Sequence, residues 1–418
     1  MLLSVFLATG PQYVFGAIFF LWFLHKRVWK SLKGDYYQAF KTTLVGLLGA
    51  VVFTWLSAFA SWAYLGDVSL WEVMAQSYHL TAKWAIRGVV ILAGFIYLAH
   101  HRFRVESLAK PLFVILFCHF LYLLAQKYTG INIVHGLTEI LPPNRFNHGS
   151  YRVSGLTGHP LTLGYGAFLM AMVGFLNGTW PPRGQKKNRL FWGGIFLFSF
   201  STLLLTQSRW PLFVLFLLLL VRGFFYLKSS SSLRKKRAIY ILLIFSLLLG
   251  AIFTGLSARF SEIWKNEGDL VERMPRIAFW QVHWAMFQDN PLLGVGYVKR
   301  NSEKLDYYKR SGYNNISRKY SAHNIYLQTA ADSGILGLLG LLSLLFSGWL
   351  IAARAYRRGD PRLLYFMSGV TLAGLMQNTF RDSEFVFSYW VCFALILTGC
   401  PAWKQNQKSQ TEKELFAL

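Results

Sequence analysis

The sequence predicts an all-α polytopic membrane protein with about 11–12 transmembrane helices. Three observations carry that expectation. Hydrophobic residues fill 54% of the 418 positions and charged residues only 15%, against roughly 25% charged in a typical soluble domain. The charges fall between apolar runs long enough to cross a hydrocarbon layer about 30 Å thick, which takes about 20 apolar residues in a helix. Lys and Arg outnumber Asp and Glu by 43 to 18, a net charge of +25, and the excess collects in every second connection between those runs.

The candidate spans, in chain order, are 2–24, 42–64, 84–100, 111–126, 160–178, 190–207, 210–227, 239–256, 334–353, 363–380 and 385–402. The first is interrupted at Gly10-Pro11, which suits a half-helix or re-entrant start, and a twelfth span stays open. Cytoplasmic loops collect Lys and Arg. The connections at 25–41, 101–110, 181–189, 222–238 and 354–362, with the tail 403–418, hold 25 of the 43 basic residues and five of the 18 acids. This pattern places the tail in the cytoplasm and the N-terminus outside. The basic excess therefore reads as membrane topology and not as a nucleic-acid footprint. Lys228 to Arg237 form a serine-rich basic turn suited to anionic lipid.

The chain divides accordingly: 1–256 with transmembrane helices 1–8, a 77-residue outward loop at 257–333, helices 9–11 at 334–402, and the tail at 403–418. A loop this long is expected to carry structure and function of its own. Within it, 273–289 has apolar residues at helical spacing (Ile277, Trp280, Val282, Trp284, Phe287) and predicts an interfacial amphipathic helix, stopped at Asp289-Asn290-Pro291. Gly294 and Gly296 read as turn residues, and a second helix is expected from about His323 into the span at 334. Cys118, Cys392 and Cys400 lie in apolar runs without metal or redox spacing. No repeat and no removed signal peptide are expected.

Polar residues beside long apolar runs are informative because they are costly there. On the drawn topology they gather on the outward face. Thr206-Gln207-Ser208-Arg209-Trp210 lies between spans six and seven, and Arg209 presents a planar fork of donors suited to a phosphate at headgroup depth. Arg152 to Pro160 offers a second arginine with hydroxyls and glycines. Arg276 is a candidate further phosphate ligand. His323, at the end of the long loop, titrates near neutrality and can accept a proton from a hydroxyl. Arg381-Asp382-Ser383-Glu384 forms the last outward turn, where Asp382 or Glu384 is a candidate carboxylate to orient His323 or an arginine. Lys83 and Arg87 would extend a basic funnel. No Asp-x-Asp or HExxH pattern offers a metal site. The constellation fits transfer from a phosphate-activated lipid to a hydroxyl, with arginine stabilising the leaving phosphate.

At Gln207-Ser208-Arg209, at Arg276 to Trp280 followed by Asn290-Pro291-Leu292-Leu293-Gly294-Val295-Gly296, and at His323-Asn324 with Gly334 and Gly337, the sequence resembles the O-antigen ligase and polymerase family of bacterial envelope proteins. The resemblance covers roughly 150–380. It implies a GT-C-like membrane glycosyltransferase of the bacterial inner membrane, without metal or other cofactor, its active site facing the periplasm. It implies undecaprenyl-diphosphate-linked O-antigen as donor and, in the ligase branch, lipid A-core as acceptor. On that reading Arg209 and Arg276 bind the diphosphate with Arg152 assisting, His323 is the general base, and Ser208, Asn324 and Asp382 support them. A single dominant late loop favours ligase over polymerase. A lipid-linked-glycan flippase is the alternative of another class, disfavoured by nearly charge-free mid-span positions and the lack of a repeat.

Overall fold

The structure, a computed structural model, describes residues 34–65, 69–100, 105–133, 146–147, 150–157, 159–180, 188–229, 275–296, 299–313 and 321–399. The expected spans at 2–24 and 239–256, most of the serine-rich turn and the tail lie outside the described residues. Within them the chain is helical apart from a two-residue antiparallel ladder, β1 (Phe146–Asn147) with β2 (Ser150–Tyr151). In order come α1 (Gly34–Leu65), α2 (Leu70–His100), α3 (Ala109–Thr129), α4 (Pro160–Thr179), α5 (Asn188–Leu205), α6 (Arg209–Ser229), α7 (Pro275–Asp289), α8 (Arg300–Arg310), α9 (Ile325–Arg357), α10 (Arg362–Ala373) and α11 (Ser383–Thr398).

Five helical segments among the described residues are long and apolar enough to cross a membrane: Asp35–Tyr64, Ala109–Thr129, Pro160–Thr179, Asn188–Leu205 and Ile325–Arg357. Shorter apolar segments occur at Trp84–Ala99, Arg362–Met376 and Ser383–Thr398. Helices α4 and α11 are apolar on all sides and buried on nearly all sides, so they form the centre of the bundle. Around them α1, α3 and α5 turn Leu44, Val45, Leu48, Phe117, Leu121 and Leu197 outward, the surface a lipid-facing helix presents. Helix α1 lies along α9 through small residues. A Cβ on Gly46 would fall 2.4 Å from Ser347, and Ser343 Oγ donates to the Gly46 carbonyl at 3.1 Å. Close backbone approach through small residues is how helices associate in lipid, where apolar surface gives no drive between them.

The expected helix over 273–289 appears as α7. The expected helix after His323 begins at Ile325 and continues through the span, so that α9 runs 33 residues with a kink at Gly334 (φ 61°, ψ −161°). The stretch between carries α8, which the apolar pattern did not signal. The kink is bonded through the Pro291–Val295 turn. The Val295 amide donates to the Ala331 carbonyl at 3.0 Å, and the Ile335 amide donates to the Pro291 carbonyl at 2.8 Å. Ser57 of α1 donates to the Ser333 carbonyl at 2.8 Å. Backbone groups released by the kink are thus satisfied in an interior where an unmet one is expensive. The approach requires glycine on both sides. A Cβ on Gly334 would lie 2.2 Å from the Leu292 oxygen, and one on Gly294 would lie 2.5 Å from the Ser333 nitrogen.

Candidate active site

One end of the bundle collects helix N-termini. Helices α4, α6, α9 and α11 all start there, after His159, Ser208, Asn324 and Asp382, and the turn from α10 lies beside them. Each N-terminus carries a partial positive charge from its aligned peptide dipoles, so such a gathering favours anions. Asn324 is taken up in capping: its Oδ1 accepts from the amides of Tyr326 and Leu327 at 3.0 and 3.1 Å. Asp382 caps α11 likewise, accepting from Glu384 and Phe385, and its other oxygen accepts the Thr162 hydroxyl at 2.5 Å. These sequence candidates hold the helix starts.

The arginines sit around the first turns of α4. Arg209 is the first residue of α6 and half-buried. Its charge acts on Arg152, whose affinity for its proton is lowered first by burial and then by Arg209. Arg152 Nε donates to the Thr206 carbonyl at 3.0 Å, which ties the segment before α4 to the α5–α6 turn. Ser208 is buried, accepts the Thr206 hydroxyl at 3.0 Å, and packs so tightly on Gly164 that a Cβ there would fall 2.1 Å from its oxygen. Ser208 therefore fixes the arginine's turn. Arg276 opens α7 on an exposed face, 3.7 Å from the Met376 sulfur, and its charge reaches Tyr165 on α4 and His323. Arg87 is buried, and its guanidinium donates to the Ser383 carbonyl, fastening α2 to the start of α11.

His323 is half-buried beside the Phe279 ring, with centroids 6.0 Å apart. Its Nδ1 lies 2.8 Å from Gln377 Oε1, so Gln377, and neither Asp382 nor Glu384, is its hydrogen-bond partner. The imidazole pKa is lowered chiefly by burial and further by Arg276, while the Gln377 bond opposes both. Its backbone is left-handed, φ 48°, as is that of Gln207, φ 54°. Among the described residues these are the two non-glycine positions with positive φ. Each lies within two residues of a candidate site residue, and strained backbone of about 1–3 kcal/mol concentrates at functional sites.

A buried network backs the histidine. Gln328 Oε1 accepts from the Ala322 amide at 2.8 Å and from Asn378 at 3.4 Å, and its Nε2 donates to Asp332 at 3.0 Å. Asp332, fully buried, pairs with Arg381. Trp280 Nε1 donates to the Ala322 carbonyl at 2.9 Å. Under the loop, Lys304 of α8 is pulled down to about 8 by burial first, with Asp332 opposing and Arg300 and Arg381 adding. Sequence reasoning gave no role to Gln377, Gln328, Asp332 or Arg381. A signal was present: Gln377-Asn378 is a polar pair inside an apolar run, and such pairs are retained at a cost. Among the described residues no group of three His, Cys, Asp or Glu side chains is placed to hold a metal ion.

Membrane-length helices with a polar end rich in arginine define a multi-pass membrane protein. A family model described as O-antigen ligase matches residues 194–342, from within α5 through the long loop into α9. The match supports assignment of the chain to the O-antigen ligase family, in agreement with the sequence resemblance, and with it an O-antigen ligase or polymerase type of function. No curated protein matches the sequence.

Proposed function

We propose that the protein is an O-antigen ligase: an inverting, metal-independent, GT-C-like glycosyltransferase of the bacterial inner membrane, its active site facing the periplasm. Residues 257–333 would form the periplasmic loop between eight membrane helices in 1–256 and three in 334–402, with 403–418 in the cytoplasm. The observation that carries this reading is the gathering of Arg152, Arg209, Arg276 and His323 at the end where helix N-termini meet, within and beside the family-matched stretch.

In this reading Arg209 and Arg276, assisted by Arg152, hold the diphosphate of an undecaprenyl-diphosphate-linked O-antigen. The helix N-termini add their dipoles. A sugar hydroxyl of lipid A-core approaches His323, which takes its proton. The oxygen attacks the anomeric carbon from the face opposite the phosphate. The bond from that carbon to the phosphate oxygen breaks, its electron pair stays on the leaving undecaprenyl diphosphate, and the configuration inverts. Both substrates are lipid-anchored, so orientation supplies a large part of the rate. The test is an assay with purified protein, lipid A-core and the diphosphate-linked glycan, beside His323→Ala. A ligase joins glycan to lipid A-core and loses about 10²- to 10⁴-fold with the variant. Elongation of the donor without lipid A-core identifies a polymerase. No transfer by the wild-type protein, or full activity of the variant, overturns the proposal.

A further inference from the structure

Histidine works as a base through one nitrogen while the other is held, and the partner of the held nitrogen decides which is which. His323 meets that partner on the α10–α11 turn, a segment distant in sequence. Gln377 presents a carboxamide oxygen 2.8 Å from Nδ1. A carbonyl oxygen has no proton to give, so this contact is met when Nδ1 carries the hydrogen, which puts the lone pair on Nε2.

Both ends of that bond are braced by one buried acid. Asp332 accepts from Gln328, whose own oxygen takes the amide N–H of Ala322, the residue before His323. Asp332 also pairs with Arg381, which ends the short turn Thr379–Arg381 that follows Gln377 and Asn378. Gln328 reaches the same turn through Asn378 at 3.4 Å. From the loop side, Trp280 holds the Ala322 carbonyl. A left-handed non-glycine residue persists only where its surroundings over-determine it, and these five interactions do so at His323. The members of this brace bond the backbone of Ala322, the residue before the histidine, and the segment that follows Gln377.

We infer that Gln377 is a positioning residue for His323, fixing the proton on Nδ1 and leaving Nε2 to receive the proton of the acceptor hydroxyl. The inference deepens the proposed function and rests on it for the catalytic consequence, while the tautomer itself can be read without substrate. When Nε2 takes the proton, the ring becomes an imidazolium whose Nδ1–H bond to Gln377 strengthens. The proton then leaves Nε2 for solvent, restoring the base. Gln377 exchanges no proton. Arg276 is the charged group that acts on this ring. It disfavours the imidazolium, so a neutral partner at Nδ1 leaves the base weak, and a carboxylate there would make it stronger.

The experiment uses full-length protein in lipid nanodiscs with ¹⁵N-labelled histidine, the His323 signals assigned by difference from His323→Gln. The wild type is expected to show the Nδ1–H tautomer. Gln377→Met, close in shape but unable to accept that hydrogen, is expected to populate the Nε2–H form. Gln377→Glu is expected to raise the imidazole pKa by about 1–3 units. In the transfer assay Gln377→Met should lower kcat about 10- to 100-fold, part of the 10²- to 10⁴-fold a general base supplies, with KM within about twofold. Gln377→Glu should move the acid limb of the rate profile to higher pH. Unchanged tautomer and pKa in both variants overturn the inference whatever the enzyme transfers. An inactive wild type with the expected spectra instead overturns the proposed function and leaves the positioning of the ring standing.

Discussion

At one end of the bundle Arg362 is 1% exposed and its donors are spent on the protein. Its guanidinium pairs with Asp360 through Nε and Nη2, at 3.0 and 2.6 Å, and bonds Asn177 of α4 and the Gly399 carbonyl after α11, both at 2.8 Å. At the other end Arg276 lies on the surface at the start of α7, beside the sulfur of Met376. One arginine closes a junction of three helices. The other presents its cation where helix N-termini meet. The difference separates a buried arginine bonded within the protein from an exposed one at the proposed site, which residue type and apolar flanks alone do not.

The largest effect that sharpens this contrast is on stability. Arg362→Ala leaves Asp360 buried without its partner and is expected to cost about 3–5 kcal/mol. Arg276→Ala, on an exposed face, is expected to change stability by less than about 0.5 kcal/mol while abolishing most transfer. Thermal unfolding of both variants in the same detergent checks the pair. Equal losses would erase the distinction between the two ends.

Next in size is the glycine contact between loop and kink. Gly334→Ala forces a side chain into a left-handed backbone and against the Leu292 oxygen. Strain alone is worth about 1–3 kcal/mol. The expected result is a lower unfolding temperature together with impaired transfer, because the displaced turn carries the loop that brings α7 to the site. A variant with wild-type melting would mean that the turn and the kink are not seated on each other.

Apolar helices were legible in the sequence because their signal is local: long apolar runs, and glycines that mark turns. The expected span at 160–178 became α4 at Pro160–Thr179, and 385–402 became α11 at Ser383–Thr398. The kink at Gly334 was legible only as a motif glycine, since its cause is a turn 40 residues earlier in the chain. Arg152, Arg209, Arg276 and His323 stood out as polar groups beside apolar runs. Their partners did not, because partnership is tertiary. Asp382 and Asn324, candidate supporting residues, cap helix starts, a geometry that hydropathy does not reveal. Gln377, which holds the histidine, lay inside an expected span, where the hydropathy pattern hid it. Helix α8 was missed because its sequence, RNSEKLDYYKR, is polar and its buried face of Lys304, Tyr307 and Tyr308 is not apolar in composition.

A smaller effect tests charge geometry within the presenting end. Arg209→Lys keeps the cation but loses the bidentate fork. Transfer is expected to fall about 10- to 100-fold with unchanged melting. Near-normal activity would reduce Arg209 to a point charge and remove the reason for arginine at that helix start.

The pH profile is subtler. Burial and Arg276 both lower the His323 pKa, so the ring is neutral at neutral pH and available as a base. Activity should hold through pH 7 and fall only as pH drops below the ordinary imidazole value of about 6.5, through the lowered folded value. Removing the Arg276 charge lifts one of the two depressing influences, so residual activity of Arg276→Gln should show its acid limb at higher pH. A limb at the same pH would mean that the two groups do not sense each other.

The smallest expected effect is a null one, and it probes the presenting end most directly. If the arginines and helix N-termini neutralise the leaving diphosphate, no divalent ion is needed there, and chelator should change the initial rate by less than about twofold. Inhibition reversed by magnesium would move leaving-group stabilisation from guanidinium to metal. Arg209→Lys discriminates further: in a metal-assisted site an ammonium would substitute well, because the ion would carry the developing charge. Chelator insensitivity combined with a large Arg209→Lys defect is therefore the joint outcome that only a guanidinium-held diphosphate produces.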